Sequence, residues 1–374
     1  MSVWDNLVGQ GPIVELLQRS IERDMTHAWL FTGPPGSGRS NVARAFAAAL
    51  QCESGGCGEC NACRTALSGA HPDVTLVRTD RLSIEVDEVR EHVRSAALRP
   101  SSGHWQVLIV EDADRLTEKA ADALLKTLEE PPPRTVWMLC APTAEDVIVT
   151  IRSRSRQIVL RTPPSREVAA MLVRRDGVEE SVALEAARAA QGHVGRARAL
   201  ATNDAVRARR REVLAIPSSL SGLGACLSAA QNLNDAAQAH ATERADDLDG
   251  RELADLRTAW GVEDRGRRPA GYQGNLSSLE KDQKRRRTRM ARDAIDGGLI
   301  DLMSLYRDVL SVQLGADTEM VNADLASSVA ELAARGTPEA TLAHLDAILE
   351  CREALTANAA PLLALERLMI RLAR

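Results

Sequence analysis

A chain of 374 residues with 44% apolar residues carries enough material for two or three packed domains. Its 47 basic residues stand against 52 acidic ones, and the net charge of −5 excludes a protein that coats nucleic acid by bulk charge alone. The opening residues Met1-Ser2-Val3-Trp4-Asp5 lack the basic and apolar run of a secretion signal, and no apolar run approaches membrane-spanning length. A soluble, cytoplasmic protein with no membrane partner is therefore expected.

In chain order, the first strong element is an apolar strand candidate, Ala28 to Thr32, followed by Gly33-Pro34-Pro35-Gly36-Ser37-Gly38-Arg39-Ser40 and an alanine-rich helix candidate, Asn41 to Leu50. Glycines in such a loop let backbone N–H groups crowd around phosphate oxygens; a lysine neutralises charge and a Ser/Thr hydroxyl binds magnesium. Here the lysine position holds Arg39, whose planar guanidinium does not reproduce a compact ammonium between terminal phosphates. A phosphate-loop fold is expected, with hydrolysis lost and occupancy by ATP or ADP left open. Mg2+ would enter only with a nucleotide.

The next segment contains Cys52, Cys57, Cys60 and Cys63, a C-x4-C-x2-C-x2-C spacing in a glycine-rich stretch. Short loops of this kind wrap four thiolates around tetrahedral zinc, leaving no open coordination position, so a structural Zn2+ is expected. Cys140, Cys226 and Cys351 lie scattered elsewhere. The histidines His71, His92 and His104 lie apart and are expected at the surface.

Val107 to Val110 reads as a buried strand ending in Glu111-Asp112-Ala113-Asp114. Acids at the C-terminal edge of a nucleotide-binding sheet hold magnesium and orient water, in the usual order Asp then Glu. The order here, Glu111 then Asp112, shifts each carboxylate's reach by one methylene; solvation of a strand end is the plainer alternative. Thr117 is placed to cap a helix with Ala121, Leu124, Leu125 and Leu128 on one face, stopped by Pro131-Pro132-Pro133. A further strand candidate, Val136 to Ala141, leads through Pro142-Thr143 to the basic cluster Arg152, Arg154 and Arg156.

These residues together carry a resemblance. Trp4-Asp5-Asn6-Leu7-Val8-Gly9-Gln10, His27-Ala28-Trp29-Leu30-Phe31, the cysteine segment, Ala123-Leu124-Leu125-Lys126-Thr127-Leu128-Glu129-Glu130-Pro131-Pro132 and Ser153-Arg154-Ser155 resemble the delta-prime family of bacterial DNA polymerase III clamp-loader subunits, within the AAA+ proteins. The resemblance implies an α/β AAA+ nucleotide-binding domain, a parallel sheet with flanking helices, over residues 1–162 with the zinc module inserted at 52–63. A small helical lid domain at 163–203 and an all-α C-terminal collar at 204–374 would follow.

The resemblance further implies a noncatalytic stator that helps load the sliding clamp onto primed DNA. Its implied partners are gamma/tau and delta subunits in a hetero-pentamer, the clamp, and primer-template DNA through the complex. Arg154 matches the arginine finger that reaches ATP in a neighbouring subunit, although Ser155 stands where the family has cysteine. The alternative is an active gamma/tau-type motor. Several departures weigh against it: Arg39, the Glu111-Asp112 order, Thr143 as the only polar residue of Cys140-Ala141-Pro142-Thr143, and Gly195 where the lid's sensor arginine is expected, with Arg196 displaced by one.

Lid helicity is supported by Val168, Met171 and Leu172, and collar helicity by Ile295, Leu299, Leu302, Tyr306 and Leu310. The polar segment 244–275 is expected to be an exposed or partly disordered loop. Lys281 and the run Lys284-Arg285-Arg286-Arg287-Thr288-Arg289, within the basic region 281–292, read either as a DNA-phosphate contact or as a solvated helix face.

Overall fold

Three apolar runs of five to seven residues, too short for helices, become strands buried on both faces in the N-terminal half of the chain. The computed structural model describes residues 2–373 except 24, 78, 80–82, 98, 102 and 260–271, and divides into two units, Met1–Thr202 and Asn203–Arg374.

The first unit runs α1 (Gly11–Arg23), β1 (Ala28–Thr32), α2 (Arg39–Leu50), α3 (Asn61–Ser68), β2 (Val74–Val77), α4 (Val86–Ala96), β3 (Gln106–Val110), α5 (Glu118–Glu129), β4 (Thr135–Ala141), α6 (Val149–Arg152) and β5 (Arg156–Val159). Three further helices follow, α7 (Ser165–Asp176), α8 (Glu180–Ala189) and α9 (Val194–Thr202). All strand pairs are parallel in the order β2-β3-β4-β1-β5.

Alternation along each strand sends side chains to two separate cores. Trp29, Phe31, Val107, Ile109, Val136 and Met138 join one with Phe46, whereas Leu30, Leu108, Trp137 and Leu139 join the other with Leu124 and Leu128. Trp29 meets Phe46 edge-on at 5.1 Å between ring centroids. The register Ala28↔Trp137 through Thr32↔Ala141 brings the C-terminal ends of β1 and β4 level, where the loops carrying polar side chains emerge.

Thr117 Oγ1 accepts the Ala120 N–H at 3.3 Å, capping α5 as expected from the sequence. Strands β2 and β5 have no separate signal in the sequence; four residues each, they are strands because a longer parallel neighbour pairs with them. His71 corrects an expectation: it is buried, and its Nδ1 accepts the Asp73 N–H at 3.1 Å, while burial lowers its pKa.

The second unit is all helical: α10 (Asp204–Ser219), α11 (Leu223–Ala259), α12 (Tyr272–Gln313), α13 (Ala326–Arg335), α14 (Pro338–Thr356) and α15 (Pro361–Leu372). Ile295, Leu299, Leu302 and Tyr306 of α12 are buried as their spacing predicts, against α11 and α14. A polar network lies inside. Arg210 Nε donates to Asp301 Oδ1 at 3.0 Å and its other end reaches Asn322; Asp308 accepts from Val321 N, Asn322 N and Asn322 Nδ2 at 2.7–3.1 Å. These bonds hold the segment before α13 onto α12.

The loop expected at 244–275 is not found where it is described: residues 244–259 continue α11 and α12 starts at Tyr272, with 260–271 outside the described residues. The polar composition is spent on a ladder between the two helices. Arg286 pairs with Asp249 and Glu252 at 2.5 Å, Arg287 with Asp249 at 2.7 Å and Asp246 at 3.1 Å, and Gln283 Nε2 donates to Asp249 O at 3.1 Å. Buried Ala237, Ala241 and Ala245, one turn apart on α11, line the same helix with small side chains. Among the described residues no helix is long and apolar enough to cross a membrane.

Candidate functional site

The phosphate loop lies between β1 and α2, aiming the N-terminal N–H groups of a 12-residue helix at the level where the strands end. Gly33 N donates to Pro142 O at 3.1 Å and Ser37 N to Pro34 O at 3.0 Å, so the loop is folded and anchored on the β4 side. Arg39 does not extend from it: its NH1 donates back to Gly33 O at 2.5 Å. The half-buried Ser40 follows at the first turn of α2, and the Ser37 hydroxyl is buried without a hydrogen-bond partner.

The acids behind the loop are likewise engaged. Glu111 Oε1 accepts Arg44 Nε at 3.2 Å and NH2 at 2.9 Å, with the two side chains 10% and 23% exposed. Arg44 is a missed residue; its only signal is a single charge within the alanine-rich helix. Asp112 opens the short turn Ala113–Arg115, accepting Arg115 N–H on its carbonyl at 3.0 Å. Cys140, fully buried on β4 beside Glu111, has its thiol pushed up by burial and then by that carboxylate. Thr143 N and Oγ1 both donate to Asp146 Oδ2 at 2.9 Å, closing a local turn.

The turn between α8 and α9 packs directly on the loop. Gly36, at φ 88°, has no room for a side chain, since a Cβ there would lie 2.7 Å from His193 Cα. His193 Nδ1 accepts the Arg196 N–H at 3.2 Å. His193 lies two residues before Gly195, where the sensor arginine is expected, but nothing in the sequence marks its contact with Gly36, which is visible only in the folded chain. The donors of a magnesium–nucleotide centre thus do not fit a hydrolytic role: Arg39 bonds its own loop, Glu111 bonds Arg44 and Thr143 bonds Asp146.

The basic cluster separates by environment. Arg154, just after α6, pairs its NH2 with Glu129 Oε1 at 2.6 Å, and its NH1 donates to Thr150 O at 3.0 Å and Ser153 Oγ at 3.2 Å. Both partners of the ion pair stay open to solvent, Arg154 at 37% and Glu129 at 50%. Arg152 lies 3.7 Å from Glu145, whereas Arg156 turns inward over the Trp29 ring at 5.1 Å.

The four cysteines come together at the far end of α2. Cys52 follows the helix, Cys60 caps α3, and all four sulfurs lie within 4.8 Å of one another. Tetrahedral Zn–S bonds of about 2.3 Å place sulfurs about 3.8 Å apart. Cys52 lies 3.7 Å from Cys57 and 3.8 Å from Cys60. Backbone N–H groups of Cys57, Cys60 and Cys63 each point at the preceding sulfur at 3.4 Å. For Cys52, burial opposes ionisation, but N–H donors from Cys57, Gly56 and Ser54 outweigh it and bring the thiol to about 6. Burial pushes Cys63 up, so a bound cation is what would hold it as thiolate. The donor set and spacing fit a metal such as zinc.

The basic run on α12 is turned to structural use. Arg286 and Arg287 face the α11 acids, Arg285 pairs with Asp282 at 3.3 Å, and Arg289 lies 3.8 Å from Asp293.

Residues 9–164 match the family described as DNA polymerase III, delta subunit, and residues 295–374 match the DNA polymerase III, delta subunit, C terminal family. DNA polymerase III subunit delta′ of Bacillus subtilis is 26% identical over 353 residues, spanning 93% of this chain and 92% of that protein. Subunit delta′ of Escherichia coli is 34% identical over 189 residues, 49% of this chain and 57% of that protein. Likeness to Bacillus subtilis subunit tau is 33% over 171 residues, but covers 44% of this chain and 30% of that protein. The likeness to delta′ thus runs over nearly the whole chain, and the likeness to tau over less than half of it. With both delta-subunit families matched in order on a parallel-sheet domain and a helical C-terminal unit, the chain belongs to the DNA polymerase III delta-prime family.

Proposed function

We propose that this chain acts as the stator of a DNA polymerase III clamp loader and sends one charge, Arg154, into a neighbouring subunit's ATP site. The observation that carries this reading is a contrast: Arg39 of its own phosphate loop and Glu111 behind it are bonded within the chain, whereas Arg154 is tethered by an ion pair open to solvent. Exposed pairs are worth about 1 kcal/mol or less, so Glu129 can release the guanidinium when a phosphate approaches. A planar, always-charged guanidinium then neutralises charge developing on the transferred phosphoryl group, a contribution of about 10³-fold or more in rate.

The chain itself hydrolyses no ATP in this reading. If ATP or ADP occupies the loop, Gly36, Gly38 and Ser40 offer backbone and hydroxyl donors, and Pro34, Pro35 and Ser37 shape the turn. The four cysteines hold a structural zinc. The helical unit joins gamma/tau and delta subunits in a hetero-pentamer that opens the sliding clamp and places it on primer-template DNA in the cytoplasm.

The test is an Arg154→Ala chain assembled into a loader whose other nucleotide sites are disabled, with clamp- and DNA-stimulated ATP turnover measured beside the intact assembly. Turnover falls about 10³-fold while gel filtration shows the assembly preserved. Unchanged turnover rejects the finger.

A further inference from the structure

The cysteine module and the phosphate loop occupy opposite ends of α2, yet a second route joins them. Between Cys52 and Cys57 the chain presents two carbonyls to the N-terminus: Gly56 O accepts Val3 N and Ser2 Oγ, both at 3.0 Å, and Gly55 O accepts Trp4 Nε1 at 3.1 Å. The fit is close. A Cβ on Gly56 would lie 2.6 Å from Val3 Cγ2 and 3.1 Å from Trp4 Nε1, in a backbone conformation of φ 108° that favours glycine. Val3 and Trp4 are buried in the same core as Cys52 and Cys63.

From there the segment advances as successive turns, Asp5 N to Ser2 O at 3.2 Å, Leu7 N to Trp4 O at 3.1 Å and Gln10 N to Leu7 O at 3.3 Å. It ends on Gln10, itself buried, whose Nε2 donates to Arg161 O at 2.7 Å and Ser37 O at 3.4 Å. Each end of the strap therefore grips a loop rather than a helix or strand: the metal-ligating loop at one end and the phosphate loop at the other.

We infer that residues 2–10 are a positioning strap through which the metal-loaded cysteine module holds the phosphate loop in its folded form. The inference rests on the zinc reading and goes beyond it. Without metal, the turn carrying Gly55 and Gly56 loses the bonds that fix its ends at Cys52 and Cys57, the strap loses its anchor, and Gln10 no longer holds Ser37 against the Arg161 segment. Stabilisation of the loop is then a consequence of zinc binding some distance away, independent of any nucleotide.

The experiment is hydrogen exchange on the full chain, with zinc content measured in every sample. Removing zinc with a chelator under reducing conditions raises exchange about tenfold or more in residues 2–10 and 33–38 and leaves β3 unchanged. Trp4→Ala keeps all four cysteines and raises exchange in 33–38 with zinc still bound. Should Trp4→Ala loosen β3 as well, Gln10→Ala cuts the strap at its other end, and 33–38 then loosens while 2–4 stays protected. A rise confined to residues 52–68 on zinc removal overturns the strap, as does an unchanged 33–38 in Gln10→Ala. A protein that binds no zinc overturns the zinc reading and the strap with it.

Discussion

The two ends of α2 show opposite ways of arranging chemically capable side chains. At its C-terminal end four sulfurs face one another at separations that suit a shared cation, and the deepest of them, Cys63, is one that burial keeps protonated. At its N-terminal end the capable groups face protein partners: Arg39 a carbonyl, Glu111 an arginine, Thr143 an aspartate. Like donors that converge call for a ligand, because nothing else offsets their proximity. Opposite groups that pair have already offset one another. A motif can thus persist in sequence after its chemistry has been turned inward.

The largest expected effect breaks the first arrangement. Cys63→Ser should reduce bound zinc from about one per chain to near none and leave the 52–68 segment open to protease, because structural zinc sites fold with their metal. Zinc retained at full content would remove the reason for reading the module as a metal site. In the helical unit Arg210→Ala tests how much an inward-turned charge matters. It takes away the guanidinium that both buried Asp301 and Asn322 bond, and an unfolding free energy lower by about 3 kcal/mol is expected by denaturant titration. A loss below about 0.5 kcal/mol would mean that water or neighbouring groups replace the guanidinium.

A smaller effect concerns pH. Burial opposes ionisation of Asp249, yet hydrogen bonds from Arg286 and Arg287 outweigh it and hold the carboxyl below its usual range; a hydrogen bond from Arg286 does the same for Glu252. Carboxyls depressed in the folded state stabilise it fully above the unfolded value of about 4 and lose that contribution as pH falls through their folded values. Hydrogen exchange in residues 244–257 should therefore rise below about pH 4, and Asp249→Asn should flatten that rise. An unaltered pH profile in the variant would show that the ladder is not what holds α11 beside α12. The smallest effect is expected from Arg39→Lys, which restores the ordinary phosphate-loop residue. ATP turnover by the isolated chain should stay at background, because Arg44 still occupies Glu111. Clear turnover would revive the motor reading and undo the comparison.

Much of the first unit is legible because its signals are local. Strands at 28–32, 107–110 and 136–141 are apolar runs, Thr117 is a cap at the start of a periodic helix, and the cysteine spacing fits one small loop. The misses have a common cause. His71 looks like a surface histidine until Asp73 and the following strand bury it, and the acids of 244–257 look like a solvated loop until α12 supplies Arg286 and Arg287. Arg44 and Asp146 carry no motif, and Glu129 and His193 lie in or beside segments of the resemblance that assign them no role, because the roles of all four are defined by what folds against them.

What the sequence determined by itself is the inventory: a glycine-rich loop between strand and helix, four thiols in one short segment, an arginine in a clamp-loader triplet, and helices after residue 203. The loop, the thiols and the helices follow from backbone preference, side-chain period and spacing, which act over a few residues, whereas the arginine is marked only by the resemblance. Only the tertiary structure decided which charges meet. It turned Arg39 and Glu111 inward, left Arg154 on an exposed tether and ran the N-terminal segment from cysteine loop to phosphate loop, because pairing energies depend on distance in space and not on position in the chain.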